Sequence, residues 1–365
     1  MIENRRIFFC LIFFIASNCW AAENQKDTVT DIAVSNEVKE ADLQIDHNYD
    51  DMALLRPYEP TILGFRKDNG EGWFLDIKLS LKYPLGHDGL YKDSNNRGII
   101  PFWSFAFTGA WGQYVFDRKS SPVIAKRYNP ELFGRWWLRD RHQYFDIVYG
   151  HESNGQSIGS WDTYSVKKLE ISSIEDPKSG DDVENARDYI SRGWDYIGFT
   201  YTTRNALGLY FFEKQEKGNF FYGKTLSTYV KFRYFLNNGL LQGDIEDFNP
   251  WEIYGPQCID DKEKTDWISE CYRLNDKYTR DRYDGLSFIL QNDTDYGAVI
   301  KGIKLALIYT TGYKDAFENS TVRLEHTVNY NNLPIMIWMQ TGYNSDLVDY
   351  YKRVKSYGIA LELRY

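Results

Sequence analysis

Apolar and polar side chains alternate with period two along much of the chain, which is the pattern of β-strands with one apolar face. The clearest case is the stretch WFLDIKLSLKY at residues 73–83, where every odd-numbered position is aliphatic or aromatic. The even-numbered positions from 76 to 82 are charged or serine. Strands in soluble sheets are usually shorter than this, whereas a strand of this length can cross a bilayer. The pattern therefore predicts a transmembrane β-strand.

The same alternation recurs and predicts about twelve strands in all. A weaker first strand is expected at residues 60–66, and the others at 101–111, 131–138, 143–153, 194–203, 225–236, 286–292, 298–309, 321–330, 334–343 and 357–365. The apolar run 206–212 is either another strand or part of a long turn, and no long amphipathic helix is evident. Bacterial barrels have an even number of strands. The predicted fold class is all-β, a transmembrane antiparallel β-barrel of about twelve strands.

The two ends of the predicted barrel differ in the length of their connections. Residues 331–332 make a short turn, whereas residues 156–190 and 237–284 are long polar insertions. Short turns on one side and long loops on the other are expected of an outer-membrane barrel, with the long loops outside the cell. The last residues, YGIALELRY at 357–365, alternate up to a terminal aromatic and resemble the closing strand of such proteins.

The N-terminal part of the chain predicts export from the cytoplasm. Residues 1–22 read as a secretory signal peptide, because basic residues precede the apolar run 7–16 and small residues follow it. A lipoprotein cut before Cys19 is the less favoured alternative. The polar, acidic residues 23–56 predict a mobile periplasmic extension, and residues 57–365 predict the barrel domain with its two loop insertions.

Composition supports a membrane barrel and excludes some functions. Aromatic residues make up 17% of the chain, with 29 Tyr, 22 Phe and 11 Trp, which suits aromatic girdles at two membrane–water boundaries. The net charge of −9 argues against binding of nucleic acid. After the predicted signal peptide only Cys258 and Cys271 remain. Two cysteines are too few for a zinc site, but they can form a local disulfide in an oxidising compartment.

The stretch YFDIVYGHESNG at residues 144–155 carries the candidate chemistry. If it is extended, His151 and Ser153 are neighbours on the apolar face that also holds Phe145, Ile147 and Tyr149. Serine becomes a useful nucleophile when a base such as histidine takes its proton. The simpler alternative is that both are ordinary polar residues where a strand enters a loop, and the pair alone does not decide between the two.

Several motifs together resemble the outer membrane phospholipase A family. They are SSP followed by YNPELF within residues 120–133, YGHESNGQS at 149–157 and SRGWD at 191–195, with a looser match across 341–359. The resemblance extends over residues 73–365. It implies a twelve-stranded barrel with a Ser–His pair on its outer wall at the level of the outer leaflet. It also implies calcium-dependent hydrolysis of phospholipid acyl esters, of A1, A2 and lysophospholipase type, by a homodimer in the outer membrane.

The resemblance also assigns roles to individual residues. It makes Ser153 the nucleophile and His151 the base. Its positions for calcium ligands are Ser120 of the partner subunit, the backbone carbonyl of Gln156, and Ser191. Oxygen donors of this kind suit calcium.

The third catalytic residue has two candidates. The family usually has asparagine directly after a tryptophan, and this chain has two Trp-Asp pairs, ending at Asp162 and Asp195. If both segments are extended, Asp195 shares its face with apolar and aromatic residues, whereas Asp162 shares its face with charged residues that hydrocarbon would exclude. Asp195 is therefore preferred. Aspartate in place of asparagine adds a charge at a lipid-facing site, and calcium is one candidate to stabilise it.

Other functions fit the same barrel pattern. One is a non-catalytic barrel, either a pore or a surface binding protein. The position of the His–Ser pair argues against the pore, because a pore needs its polar groups inside. Another is a different lipid hydrolase of the outer membrane, such as a lipopolysaccharide deacylase.

Overall fold

Strands that neighbour each other in sequence pair around a closed barrel wall. The computed structural model of the chain describes residues 55–69, 72–85, 102–115, 124–138, 143–173, 183–204, 222–242, 247–258, 273–295, 300–343 and 346–363. These residues belong to one structural unit. The predicted signal peptide, nearly all of the predicted N-terminal extension, the run 206–212, Ser120 and Cys271 lie outside the described residues.

Twelve antiparallel strands form the ring. They are β2 (Thr61–Asp68), β3 (Trp73–Pro84), β4 (Phe102–Val115), β5 (Ile124–Trp137), β6 (Gln143–Ser153), β7 (Gly193–Arg204), β8 (Tyr222–Phe235), β9 (Gly285–Asp295), β10 (Ile300–Gly312), β11 (Ser320–Tyr330), β12 (Leu333–Gly342) and β13 (Val354–Leu363). The ring closes where β13 pairs with β2, for example Leu361 with Leu63. A two-residue strand, β1 (Arg56–Pro57), pairs with the end of β3. The predicted fold class and the count of twelve strands are confirmed.

The largest difference from the predicted strand bounds is at β5. It begins at Ile124, seven positions before the predicted start at residue 131. The sequence of residues 124–130 does not predict a strand, because apolar and polar residues do not alternate cleanly there. The segment also includes Pro130, which cannot donate a hydrogen bond to a β-ladder. The pairing of β5 with β6 accordingly passes over Asn129 and Pro130, continuing from Tyr128 to Glu131.

The barrel wall is apolar outside and polar inside. Outward side chains exposed on the wall include Phe65, Trp103, Phe105, Ile147, Phe199, Leu305, Ile337 and Ile359. Inward side chains that are buried include Ser80, Asp146, Lys304, Thr327 and Glu362. Water would not favour so extensive an apolar outer surface, whereas lipid hydrocarbon does. This distribution is that of a membrane-spanning barrel.

Charged groups inside the barrel are hydrogen-bonded across strands. Lys304 Nζ lies 2.6 Å from Glu362 Oε1 and 2.7 Å from Glu325 Oε2, and the Thr327 hydroxyl donates to Glu362. Arg135 and Asp146 form a two-pronged ion pair at 2.8 and 2.9 Å. Buried charges are stable only when they are paired in this way. The polar interior therefore ties distant strands together.

Short helices lie in the long connections at one end of the barrel. The β6–β7 connection holds α1 (Trp161–Ser172) and a 3-10 helix at Val183–Tyr189. The β8–β9 connection holds α2 (Pro250–Tyr254) and 3-10 helices at Gly255–Cys258 and Arg280–Arg282. Cys258 is disulfide-bonded. Within the described ranges, no helix has the length and apolarity to cross a membrane.

We expect the barrel to be sensitive to loss of the cation that its interior carboxylates share. Lys304→Met would leave the buried carboxylate of Glu362 without its cation, while Glu325 would keep Arg323, and should lower the free energy of unfolding by about 3 kcal/mol. Urea unfolding of the refolded barrel in lipid vesicles, followed by tryptophan fluorescence, measures this change. Lys301→Met is the matched control, because Lys301 is exposed on the same strand and should change stability by less than about 0.5 kcal/mol. Equal losses in both variants would contradict the prediction.

Candidate active site

Neighbouring strands β6 and β7 bring the candidate catalytic residues together. In their antiparallel register His151 pairs with Asp195, and Ser153 pairs with Gly193. Odd-numbered residues of both strands face outward, as the exposure of Ile147, Ile197 and Phe199 shows. The three candidate residues therefore belong to the outer face of the wall, at the end of the barrel that carries the long loops.

His151 is hydrogen-bonded to the carboxylate of Asp195. Its Nδ1 lies 2.6 Å from Asp195 Oδ1. An ionised carboxylate only accepts, so the proton of this bond belongs to Nδ1 and the basic nitrogen is Nε2. This is the tautomer that a histidine needs to act as a base toward a hydroxyl.

Ser153 lies on the same face as His151, two residues further along β6. A Cβ added to Gly193 would lie 3.1 Å from Ser153 Cβ and 3.4 Å from His151 Cε1, so glycine leaves the space between them clear. Both residues are within the described part of the chain, and no hydrogen bond joins the Ser153 hydroxyl to His151. Such bonds are often long without substrate and shorten when it binds.

Asp162, the alternative third residue, occupies a different environment. It lies exposed in the first turn of α1. The comparison of strand faces used for Asp162 was wrong, because residues 161–172 are helical rather than extended. Ser160 and Thr163 form a capping box at the start of this helix, and that sequence signal for a helix was missed.

The charge of Asp195 is stabilised by the chain itself. Its Oδ2 accepts hydrogen bonds from the Tyr149 hydroxyl at 2.7 Å and from the Leu241 backbone N–H at 2.7 Å. Together with His151 these donors satisfy both carboxylate oxygens, and the residue is 0% exposed although it faces outward. Sequence reasoning placed Tyr149 on this face but gave it no role, and it missed Leu241, which is 46 residues from Asp195 along the chain.

Asn154 joins the two ends of the β6–β7 connection. Its side-chain amide donates to the Ile190 carbonyl at 2.7 Å and accepts from the Arg192 backbone N–H at 2.9 Å. The Ser191 N–H donates to the Ile158 carbonyl at 2.8 Å, which continues this pairing. The pairing holds the segment that contains Gln156 against the segment that contains Ser191.

Two of the three candidate calcium ligands are thus on paired segments. The Ser191 carbonyl accepts from the Arg192 side chain at 3.0 Å, and the Ser191 hydroxyl is the candidate ligand group. The Gln156 carbonyl and this hydroxyl are neutral oxygen donors of a kind that calcium accepts. The third, Ser120, lies outside the described residues. Across the described ranges, no group of three or more His, Cys, Asp or Glu side chains is placed to hold a metal ion.

The inner face of the same wall carries a cluster of ion pairs. Glu152, between His151 and Ser153 in sequence, points inward and pairs with Arg127 and Arg280 at 2.8 Å each and with Arg233 at 3.3 Å. Asp284 pairs with Arg233 at 2.7 Å and with Arg280 at 3.0 Å. Burial opposes ionisation of Asp284, but the two arginines outweigh it and hold its pKa well below the usual range. From inside the barrel, the cluster fixes the end of β6 that carries Ser153.

The fold and the site together define a membrane-type β-barrel with a candidate serine hydrolase centre on its outer wall. No protein-family model matches the chain, and no curated protein matches it at a significant level. Among solved structures, it is similar to an active-site mutant of outer membrane phospholipase A from Escherichia coli, with 15% sequence identity and a TM-score of 0.47, over 87% of this chain and 95% of that chain.

Two further structures give similar or weaker matches. The outer membrane phospholipase dimer of Salmonella typhi with bound calcium has 15% identity and a TM-score of 0.47, over 89% of this chain and 96% of that chain. A mutant porin of Rh. blastica has 7% identity and a TM-score of 0.24, over 85% of this chain and 100% of that chain. At these values the similarity is one of fold alone.

We expect Asn154 to be the residue that keeps the two loop ends paired. Asn154→Ala removes the acceptor for the Arg192 amide and the donor to Ile190, so amide hydrogen exchange near residues 154–158 and 190–192 should become about tenfold faster. Exchange measured by mass spectrometry tests this, with the amides of β10 as the internal reference. Unchanged exchange at the loop ends would show that other contacts hold them.

Proposed function

We propose that this protein is a calcium-dependent phospholipase of the bacterial outer membrane, hydrolysing acyl esters of phospholipids at the outer wall of its barrel. The observation that carries the proposal is the His151–Asp195 hydrogen bond beside Ser153 on the outward, apolar face of the wall. A serine, a base and a carboxylate in this order form the arrangement of many ester hydrolases.

Each of the three residues has one role in the proposed reaction. Ser153 Oγ attacks the carbonyl carbon of the acyl ester while His151 Nε2 takes its proton. His151 then gives that proton to the departing lysophospholipid oxygen. Asp195 holds the imidazole through Nδ1 and stabilises the imidazolium. Water, activated by His151 in the same way, releases the fatty acid from Ser153.

The location of the site favours a substrate that lies in the membrane. Ile147 and Ile197, on the same outward faces as His151 and Asp195, are exposed where hydrocarbon would surround the barrel. Ser153 is the last residue of β6, at the loop end of this apolar wall. The ester bonds of a phospholipid lie at the boundary between its hydrocarbon and its headgroup, so acyl chains against the wall would place an ester near Ser153. We assign this end of the barrel to the outer leaflet.

Calcium is proposed because the donor groups near Ser153 fit it. The Gln156 carbonyl, the Ser191 hydroxyl and Ser120 of the partner subunit would hold the ion, and a homodimer would complete the set. A divalent cation bound there would supply positive charge close to the developing oxyanion. Because all the proposed ligand groups are neutral, the protein would not offset the positive charge of the ion. The observation behind this part is the pairing of the segments that carry Gln156 and Ser191.

The described interior gives less support to a pore. At the end of the barrel that carries the long loops, the interior holds the buried, paired groups of Glu152, Arg280 and Asp284. Further along the interior, Lys304 and Glu362 are also buried and paired. Groups that line a water channel would be exposed to it. We therefore retain the hydrolase as the function.

We expect Ser153→Ala to abolish release of fatty acid from phospholipid in mixed micelles, because it removes the nucleophile. Asp195→Ala should lower the rate on the order of 10⁴-fold, since the histidine loses both its tautomer and its orientation. Asp162→Ala, a matched change at the exposed aspartate of α1, should leave the rate unchanged. Fatty-acid release by refolded protein with calcium measures all three. Equal activity of Ser153→Ala and the native protein would rule out this mechanism.

We expect chelation of calcium to stop hydrolysis and added calcium to restore it. Ser191→Ala should raise the calcium concentration needed for half-maximal activity about tenfold or more, because it removes a ligand oxygen. Gln156→Ala is the control, since its proposed ligand is the backbone carbonyl that alanine retains. Calcium titration of both variants in mixed micelles provides the test. If Gln156→Ala shifted the titration as far as Ser191→Ala, the assignment of ligand groups would be wrong.

A further inference from the structure

The chain leaves β8 at Phe235 and folds back over the catalytic carboxylate. Leu236 N–H donates to the Asp195 backbone carbonyl at 2.9 Å, which extends the pairing of β8 with β7. The residues that follow, 239–242, cross the outer face of the wall at Asp195, and we call them the strap. The strap belongs to the β8–β9 connection, which the sequence marks only as a long polar insertion.

Backbone groups of the strap make its contacts with the site. Leu241 N–H donates to Asp195 Oδ2 at 2.7 Å, and Leu240 N–H donates to the Tyr149 hydroxyl at 3.1 Å. Tyr149 in turn donates to Asp195 Oδ2 at 2.7 Å. The side chain of Gln242 accepts from the Asp195 backbone N–H at 3.1 Å. The strap and Tyr149 therefore form one hydrogen-bonded unit around Asp195.

The strap reaches this position only because residue 239 is glycine. A Cβ at Gly239 would lie 2.0 Å from Asp195 Oδ2 and 2.1 Å from Asp195 Cβ. Contacts this short are not tolerated, and the obstructing atoms belong to a short side chain held by hydrogen bonds, so the strap or the carboxylate would have to move. By contrast, a Cβ at Gly159, in the β6–β7 connection, would meet nothing within 4 Å.

The environment of Asp195 explains why such a unit is needed. Its carboxylate faces outward on an apolar wall yet is 0% exposed. A buried carboxylate is costly unless hydrogen bonds to its oxygens replace water. His151 satisfies one oxygen, and Tyr149 and Leu241 satisfy the other. The leucine side chains contribute little to this, since Leu240 is 88% and Leu241 62% exposed.

We propose that the strap and Tyr149 are the positioning element of this site, holding the Asp195 carboxylate ionised, covered and oriented toward His151. The inference rests on the proposed hydrolase function for its effect on rate, but not for its structural part. Among the described residues, the hydrogen bonds of Tyr149 and the strap go to Asp195 and to each other, and none joins them to Ser153. They act through Asp195, and the β8–β9 connection becomes a working part of the centre.

Paired variants test the strap because its donors are in the backbone. Leu241→Pro removes the N–H that binds Asp195, whereas Leu241→Ala keeps it. Gly239→Ala adds the obstructing Cβ, whereas Gly159→Ala adds a Cβ in open space. We expect Leu241→Pro and Gly239→Ala to lower fatty-acid release about 10- to 100-fold, the effect of losing a hydrogen bond to a charged group. Gly159→Ala should stay within about twofold of the native rate, and Leu241→Ala, which keeps the N–H, should lose clearly less activity than Leu241→Pro.

A double-mutant cycle separates positioning from general stability. Tyr149→Phe should lower the rate about tenfold in the native background and less than about twofold in an Asp195→Asn background, because its partner charge is then absent. The midpoint of thermal unfolding is measured for each variant. An equal loss from Tyr149→Phe in both backgrounds would overturn the proposal, as would Leu241→Pro and Gly239→Ala that match their controls.

Two further measurements distinguish failure of the strap proposal from failure of the proposed hydrolase function. A fluorophosphonate probe, which reacts with an activated serine by displacement of fluoride, reports on Ser153 whatever lipid is the substrate. Labelling without phospholipid hydrolysis would show that the substrate is wrong, and the same variants would then be compared by labelling rate.

Amide exchange of residues 239–242 reads the strap directly and needs no activity. We expect slow exchange in the native protein and faster exchange in Asp195→Ala, which lacks the acceptor for the Leu241 amide. Exchange equally fast in both proteins would overturn the strap itself.

Discussion

The whole arrangement depends on the alternation of side chains across a barrel wall. Successive residues of β6 point to opposite sides, so His151 and Ser153 face outward while Glu152 between them faces the interior. The inner side can then carry the ion pairs of Glu152 and the outer side a candidate catalytic centre, within one stretch of three residues. A slip of one residue would put Glu152 in hydrocarbon and the His–Ser pair inside. Because the cluster of three arginines around Glu152 forbids that slip, the interior holds the outer site in register.

An ionised carboxylate is harder to stabilise on the outer face of the wall than on the inner face. Inside, the buried carboxylates of Asp146, Glu152, Asp284 and Glu362 each meet a cation. Asp195 instead lies on an apolar outer face, where its nearest titratable partner is a histidine. The chain covers Asp195 with backbone amides and a tyrosine hydroxyl, so its charge is stabilised by dipoles rather than by an opposite charge. Such neutral donors bring no permanent cation that would compete with the His151 imidazole for the carboxylate. An arginine in place of the strap would bind Asp195 more strongly and weaken its hold on the imidazole.

The sequence predicted those parts of the structure that depend on local patterns of side chains. Twelve strands followed from period-two alternation, and the strand at residues 143–153 was predicted with the bounds that β6 has. Pro130 interrupted the pattern and hid the first half of β5. The juxtaposition of His151 and Asp195 has a weaker local signal, the shared outward face, and it needs the register of two strands to become a contact. The contacts of Leu241 and Leu240 with residues 46 and 91 positions away have no local signal at all. They depend on the path of a loop that alternation does not describe.

The β8–β9 connection holds β7 from both sides at the level of the site. On the outer side residues 239–242 cover Asp195. On the inner side Asp247 accepts from the indole N–H of Trp194, and the Arg280 guanidinium lies 4.5 Å from the centre of the Trp194 ring. Trp194 and Asp195 are consecutive, so one connection fixes the two faces of the strand at the same height. A change of conformation in this connection would therefore move the carboxylate relative to His151 without any change in the barrel. The Trp-Asp pair thus joins an inner anchor to the candidate catalytic carboxylate outside, and one loop contacts both.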